Sequence, residues 1–146
     1  MDRYPLLLMF ALLGIASLLA RLLTIPLPLG PYGPLLGWGL LLCGALLIVT
    51  AAGLFRTLKT TINPTKAPDR LVVDGLYRLS RNPMYLGMLL VLTGFPLIVD
   101  SLPGFACTLV FYGVMDWRQI PREERVIEGA FGDAYRAYKL RTRRWL

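Results

Sequence analysis

The sequence predicts an all-α integral membrane protein with about four transmembrane helices, the last two a short helical hairpin, followed by a cytosolic amphipathic C-terminal helix. Hydrophobic residues make up 55% of the 146 residues, which is more apolar surface than one soluble core of this size can hide. Of the 16 Lys and Arg residues, 14 fall in the segments 56–83 and 118–146. Basic clusters that alternate with apolar runs are typical of the positive-inside bias of membrane proteins.

The first half of the chain carries two apolar runs of spanning length. Residues 4–25 are interrupted by a single charge, Arg21, and such a run covers the roughly 30 Å of a bilayer core. Residues 26–34 (PLPLGPYGP) form an uncharged turn. Residues 35–55 are the second span, rich in glycine and alanine, which lets helices approach closely in lipid.

The second half carries shorter apolar runs. Residues 56–83 are too polar to lie in lipid, whereas 84–99 and 102–115 are apolar but short for upright spans. We therefore expect a tilted or partly re-entrant helical hairpin packed on the two longer spans.

The tail from Asp116 has a helical pattern, because Ile127, Phe131 and Tyr135 recur at helical spacing. Gly132 interrupts this helix, and Trp145 suits the headgroup level. The charge bias places both basic segments and both termini on the cytosolic side.

Composition also limits the chemistry. The chain has no histidine, which removes the commonest metal ligand and the usual general base. Cys43 and Cys107 lie singly in apolar runs, so we predict neither a metal site nor a disulfide framework. The basic residues alternate with membrane spans, so we predict no nucleic-acid partner.

The most informative stretch is LVVDGLYRLSRNPMYLG at 71–87. Asn82 followed by Pro83 is typical of a helix N-cap and first turn, whose free N–H groups make an anion site. A helical spacing would put Arg78, Asn82 and Tyr85 on one face. The simpler alternative is that the arginines are positive-inside anchors and Tyr85 an interface aromatic.

A second feature is the pair Glu123-Glu124, which follows the hairpin and returns to the same surface as Asn82. It could be a solvated ion-pair cluster with Arg118, Arg122 and Arg125. It could also supply carboxylates to a cationic ligand held against the Asn82 cap, an arrangement that suits a zwitterionic ligand.

These residues resemble the isoprenylcysteine carboxyl methyltransferase and phospholipid methyltransferase superfamily. The resemblance rests on TTINP at 60–64, the stretch 71–87, and EERVIEGAFGDAYRAYKLRTRRWL at 123–146, and covers roughly the last 90 residues. It implies S-adenosylmethionine as methyl donor and S-adenosylhomocysteine as product. Carried over to this sequence, the implied cofactor-binding residues are Leu71, Val72, Tyr77, Asn82, Pro83, Met84, Tyr85, Glu123 and Glu124.

Two positions depart from the family pattern. Asn82 stands where the family usually has histidine, and it keeps a donor and an acceptor but cannot carry a charge. Gln119 stands where the family has its substrate-side arginine, and Arg118 is adjacent to it. We take Arg118 and Gln119 as the candidate substrate-side, catalytic residues.

We therefore expect S-adenosylmethionine-dependent methyl transfer to a membrane-embedded or lipophilic acceptor such as a lipid or lipidated molecule, including a carboxylate as in isoprenylcysteine carboxyl methylation. Two alternatives stay open: a non-catalytic membrane protein with the same fold, and a nicotinamide-dependent membrane reductase. We expect one domain in a bacterial inner membrane: two spans (1–55), a cytosolic cofactor loop (56–83), the hairpin (84–115) and a cytosolic tail helix (116–146).

Overall fold

A computed structural model describes residues 4–57 and 71–146, without the side chains of residues 55–57. The TTINP stretch at 60–64, and with it residues 58–70 of the expected cytosolic loop, lies outside the described residues. The described chain is helical. Its α-helices are α1 (Tyr4–Leu22), α2 (Tyr32–Thr57), α3 (Pro83–Ile98), α4 (Phe105–Val114), α5 (Ile120–Phe131) and α6 (Asp133–Arg141), with a 3₁₀ turn at Gly75–Arg78 and a π turn at Met115–Gln119.

Helices α1 and α2 are long and apolar enough to cross a membrane. Only 22% and 17% of their most apolar stretches are buried within the protein, whereas the core helix of a soluble protein would be mostly covered. Phe10 and Leu18 on α1, and Trp38, Leu42 and Leu46 on α2, are exposed. These exposed apolar faces are suited to lipid contact.

Helix α3 is the central helix. Its buried positions include Met88 and Leu92, which pack with Leu12 of α1 and with Cys107 and Phe111 of α4. The other side of α3 lies against α2, and this is the most extensive helix contact in the described part of the chain. The expected hairpin of two short apolar helices is therefore present, as α3 and α4.

Glycines bring α2 and α3 unusually close. A methyl group built on Gly37 would lie 2.6 Å from the Gly94 carbonyl oxygen, and one on Gly44 would lie 2.5 Å from that of Gly87. In the same way, a methyl group on Gly94 would lie 2.6 Å from the Gly37 carbonyl oxygen, and one on Gly87 would lie 2.7 Å from that of Gly44. Because the pairs run in opposite order along the two helices, α2 and α3 are antiparallel and meet backbone to backbone at two points seven residues apart.

The two turns that carry no Lys or Arg, α1–α2 and α3–α4, lie together at one end of the bundle. The amide of Leu27 donates to Asp100 Oδ1 at 2.8 Å, and the amide of Leu102 donates to the Ile25 carbonyl at 3.0 Å. The start of α3 and the start of α5 meet at the other end, where Arg81 contacts Glu124. Residues 71–83, the described end of the first basic segment, thus share one end of the molecule with the second basic segment.

The tail differs from its expected form. It does not begin a separate helix at Asp116, because the π turn joins α4 to α5 without a break. The predicted interruption at Gly132 is confirmed: Gly132 has a φ of 50°, which ends α5 and precedes α6.

Candidate functional site

The first motif is a turn and a bend that precede α3. Gly75 has a φ of 61° and opens the 3₁₀ turn, which ends at Arg78. Since Leu79–Asn82 are not helical, the expectation that Arg78, Asn82 and Tyr85 share one helix face is wrong. Arg78 is exposed and pairs with Asp74 at 3.2 Å, whereas Arg81 is directed toward α5.

Helix α3 begins at Pro83, as predicted, but Asn82 does not cap it through its side chain. Its Nδ2 donates instead to the carbonyl of Arg144 at 3.1 Å. The Ser80 hydroxyl donates to the same carbonyl at 3.2 Å, and the amide of Arg81 donates to the Arg143 carbonyl at 3.0 Å. The C-terminal segment is therefore bound across the start of α3, and the Asn82 side chain helps to hold it there.

Glu123 joins the two motifs. The Tyr85 hydroxyl donates to Glu123 Oε1 at 2.5 Å, and the Gln119 side-chain amide donates to the same oxygen at 2.8 Å. Tyr85 lies in the first turn of α3, whereas Gln119 and Glu123 lie one turn apart across the π turn and α5. Residues 38 positions apart in sequence thus form one partly buried cluster, which we call the Glu123 cluster (Tyr85, Gln119 and Glu123).

Glu124 has different partners. Its Oε1 accepts from Arg81 Nη2 at 2.9 Å and its Oε2 accepts from Arg144 Nη2 at 3.1 Å. The side chains of Arg81 and Glu124 are only 11% and 10% exposed. Arg144 also pairs with Asp116 at 3.1 Å. We call Arg81, Glu124, Arg144 and Asp116 the arginine clamp. It ties the bend before α3, the π turn and α5 to the C-terminal segment.

The clamp also satisfies backbone groups. Arg81 Nη1 donates to the carbonyls of Lys139 (3.3 Å) and Thr142. Burial disfavours the charge on Arg144, but its hydrogen bonds to Asp116 and Glu124 outweigh that cost and raise its pKa. Arg144 therefore acts as a permanent cation at the end of the tail.

An apolar and aromatic wall stands beside these groups. Tyr77 and Val72 from the first motif pack with Tyr135 and Tyr138 of α6, and Leu71 lies against them. The Tyr138 hydroxyl donates to the Tyr77 carbonyl at 2.6 Å. Burial raises the pKa of Tyr138 to about 12. Burial also raises the pKa of Tyr77, with further contributions from Tyr138 and from the negative charge of Glu123, so these phenols stay neutral.

The structure places the remaining predicted residues as follows. Pro83 and Met84 are buried at the start of α3. Gln119 is buried and contacts Glu123, whereas its neighbour Arg118 is exposed. The arginines that pair with Glu124 are Arg81 and Arg144. The possible ion-pair partners named from the sequence were Arg118, Arg122 and Arg125.

Sequence reasoning missed three contributors. Asp116 and Arg144 complete the clamp, and Tyr138 closes the aromatic wall. Trp145, which we expected at headgroup level, packs on Tyr112 with ring centroids 5.3 Å apart and donates to Asp116. The exposed tryptophan of this region is Trp117. Helical spacing gave no signal for these contacts, because each joins residues that are far apart in the sequence.

Comparison with known proteins gives two findings. A family model described as phospholipid methyltransferase matches residues 33–134. A protein from Haemophilus influenzae, described as uncharacterized, is 41% identical over 63 residues, which is 43% of this chain and the whole of that protein. No solved structure matches.

Proposed function

The chain belongs to the phospholipid methyltransferase family, within the superfamily that also holds the isoprenylcysteine carboxyl methyltransferases, and we propose that it transfers a methyl group from S-adenosylmethionine to a lipophilic acceptor at the membrane surface. Members of this family are S-adenosylmethionine-dependent methyltransferases. The observation that carries the proposal is the Tyr85–Glu123 hydrogen bond, because it joins the two motifs from which the family resemblance was drawn.

The residues present suit the cofactor. A methionyl sulfonium is cationic, and Glu123 supplies a partly buried carboxylate. The buried Met84, Tyr77 and Val72 supply apolar surface for the adenosine part. We propose that Leu71, Val72, Tyr77, Pro83, Met84, Tyr85 and Glu123 hold the cofactor. Glu124 is better assigned to the arginine clamp, since each of its oxygens accepts from an arginine.

When bound, S-adenosylmethionine supplies an electrophilic methyl group. The chain's own part is to position the reactants and exclude water. Tyr85 and Gln119 both donate to Glu123 Oε1 and so fix the orientation of that carboxylate. The arginine clamp holds the tail over the start of α3, and the apolar and aromatic wall excludes water from that side of the site.

The acceptor is a separate proposal. The family suggests a phospholipid. A carboxylate acceptor, as in isoprenylcysteine, would call for a cation beside it, but Gln119 replaces the family arginine and donates to Glu123, and Arg118 is exposed. We therefore place a phospholipid headgroup ahead of an isoprenylcysteine carboxylate. Radiolabelled methyl transfer into phospholipid, and none into an isoprenylcysteine peptide, is the result that we expect.

The setting of the site is part of the proposal. We propose that α1 and α2 cross a bacterial inner membrane, that the α3–α4 hairpin is inserted beside them, and that the basic end with both termini faces the cytosol. The exposed apolar faces of α1 and α2 support insertion.

Glu123→Gln tests the function directly, because it keeps the shape of the side chain and removes the charge. We expect at least about a tenfold loss of S-adenosylhomocysteine affinity, or about 1.4 kcal/mol, measured by calorimetry on purified protein. Glu128→Gln is the control: Glu128 is on the same helix but pairs with Arg136 and Lys139.

Three outcomes would count against the proposal. If the Glu123→Gln protein binds S-adenosylhomocysteine as tightly as the parent does, Glu123 is no cofactor ligand. If the parent binds none, the chain is a non-catalytic member of the family. Binding of a nicotinamide cofactor instead would favour the reductase alternative.

A further inference from the structure

A groove lies beside the proposed cofactor residues, between the loop at the start of the first motif and the end of α6. Its volume is about 380 Å³, and it is lined by Val73, Asp74, Arg78, Tyr138, Arg141 and Thr142. None of these residues belongs to the Glu123 cluster, to the arginine clamp or to the residues that we propose hold the cofactor. The groove is therefore separate from those three groups, although Tyr138 also belongs to the aromatic wall.

The charges of the groove suit a single negative charge. Arg78 and Arg141 come from its two walls, and Asp74 offsets one of them. Arg78 donates to Asp74 at 3.2 Å. Arg141 Nε donates to the Ala137 carbonyl at 3.3 Å, and its terminal nitrogens have no hydrogen bond to any described residue. Guanidinium groups with free N–H donors are well matched to phosphate oxygens.

A buried hydroxyl adds a neutral donor to the groove. Thr142 is only 6% exposed. Its carbonyl accepts from Arg81, but within residues 4–57 and 71–146 its hydroxyl has no hydrogen-bond partner. Buried polar groups are nearly always paired. An oxygen-rich ligand in the groove would provide the missing partner.

Exposed leucines flank both arginines. Leu79 follows Arg78 and is 68% exposed, and Leu140 precedes Arg141 and is 90% exposed. A cation next to an exposed leucine is typical of surfaces at the boundary between headgroups and acyl chains.

We propose that this groove binds the phosphodiester of a phospholipid headgroup, as an accessory lipid site distinct from the methyl acceptor. Arg78 and Arg141 hold the anion, and the Thr142 hydroxyl donates to one of its oxygens. The leucines lie against the adjoining acyl region. The monoanionic charge of a phosphodiester balances the net charge of the groove.

The test measures binding of dihexanoyl-phosphatidylglycerol to the purified full chain in a non-ionic detergent, by native mass spectrometry. We expect Arg141→Gln and Thr142→Val each to weaken binding at least about fivefold. Thr142→Val keeps the side-chain shape and the carbonyl that Arg81 uses. Arg125→Gln is the matched control, because Arg125 Nε also donates to the carbonyl four residues earlier, at 3.3 Å, but lies outside the groove.

The variants should bind S-adenosylhomocysteine as the parent does, which separates this proposal from the methyl-transfer proposal. Equal lipid affinity for the parent, Arg141→Gln and Thr142→Val proteins would overturn the groove as a lipid site. Inorganic phosphate competing as well as the lipid would overturn the assignment to lipid.

Discussion

Gly44→Ala should destabilise the protein, because the added methyl group would lie 2.5 Å from the Gly87 carbonyl oxygen and 3.0 Å from Val91. Ordinary van der Waals contact begins at 3.4 Å, so α2 and α3 would have to separate by about 0.9 Å at this point. Overpacking of this kind costs about 1–3 kcal/mol. Alanine also has the higher helix propensity, by about 0.8–1.0 kcal/mol, which partly offsets the cost.

Gly39→Ala isolates the propensity effect, because nothing lies within 4 Å of a methyl group at Gly39 on the same helix. The difference between the two variants is therefore the overpacking cost alone. For a chain of this size it corresponds to an apparent melting temperature lower by roughly 2–12 °C in the Gly44 variant. The assay is the folded fraction that remains soluble and monodisperse after heating in detergent. If the Gly44→Ala and Gly39→Ala proteins have the same apparent melting temperature, α2 and α3 do not make the close backbone contact at Gly44.

Glu124→Gln should cost about 3 kcal/mol or more of stability, because it leaves Arg81 and Arg144 without their shared buried carboxylate. The same melting assay should show a much smaller loss for Glu128→Gln, because its partner Arg136 is largely solvated, and equal losses would contradict the clamp. The sidedness of the basic end is tested with Lys139→Cys, which should resist an impermeant thiol reagent in intact cells and react after the membrane is opened. Labelling before opening would place that end outside.

Local signals in the sequence predicted the positions of most elements. Two long apolar runs gave α1 and α2, although α2 begins three residues earlier than predicted, at Tyr32. Pro83 marked the start of α3, and Gly132 marked the break in the tail. These features depend on hydropathy, proline geometry or the conformational freedom of glycine, which can be judged from a few neighbouring residues.

Such local signals could not predict which side chains in the site contact one another. Glu123 and Glu124 are adjacent, yet one contacts Tyr85 and the other contacts Arg81 and Arg144. Which carboxylate faces which partner depends on how α5 is rotated about its axis. The sequence of the tail carries no signal for that rotation, nor for the pairing of Asn82 with the Arg144 carbonyl.

The π turn at Met115–Gln119 sets how the following helix, α5, is rotated about its axis. Each residue advances an α-helix by about 100°, so one residue more or fewer in this turn rotates the whole of α5 by that amount. Glu123 would then leave Tyr85, even with every side chain of both motifs unchanged. The spacing between Phe111 and Glu123 is therefore as much a determinant of this site as the residues themselves, and a relative with a one-residue gap there would carry the motif without the site.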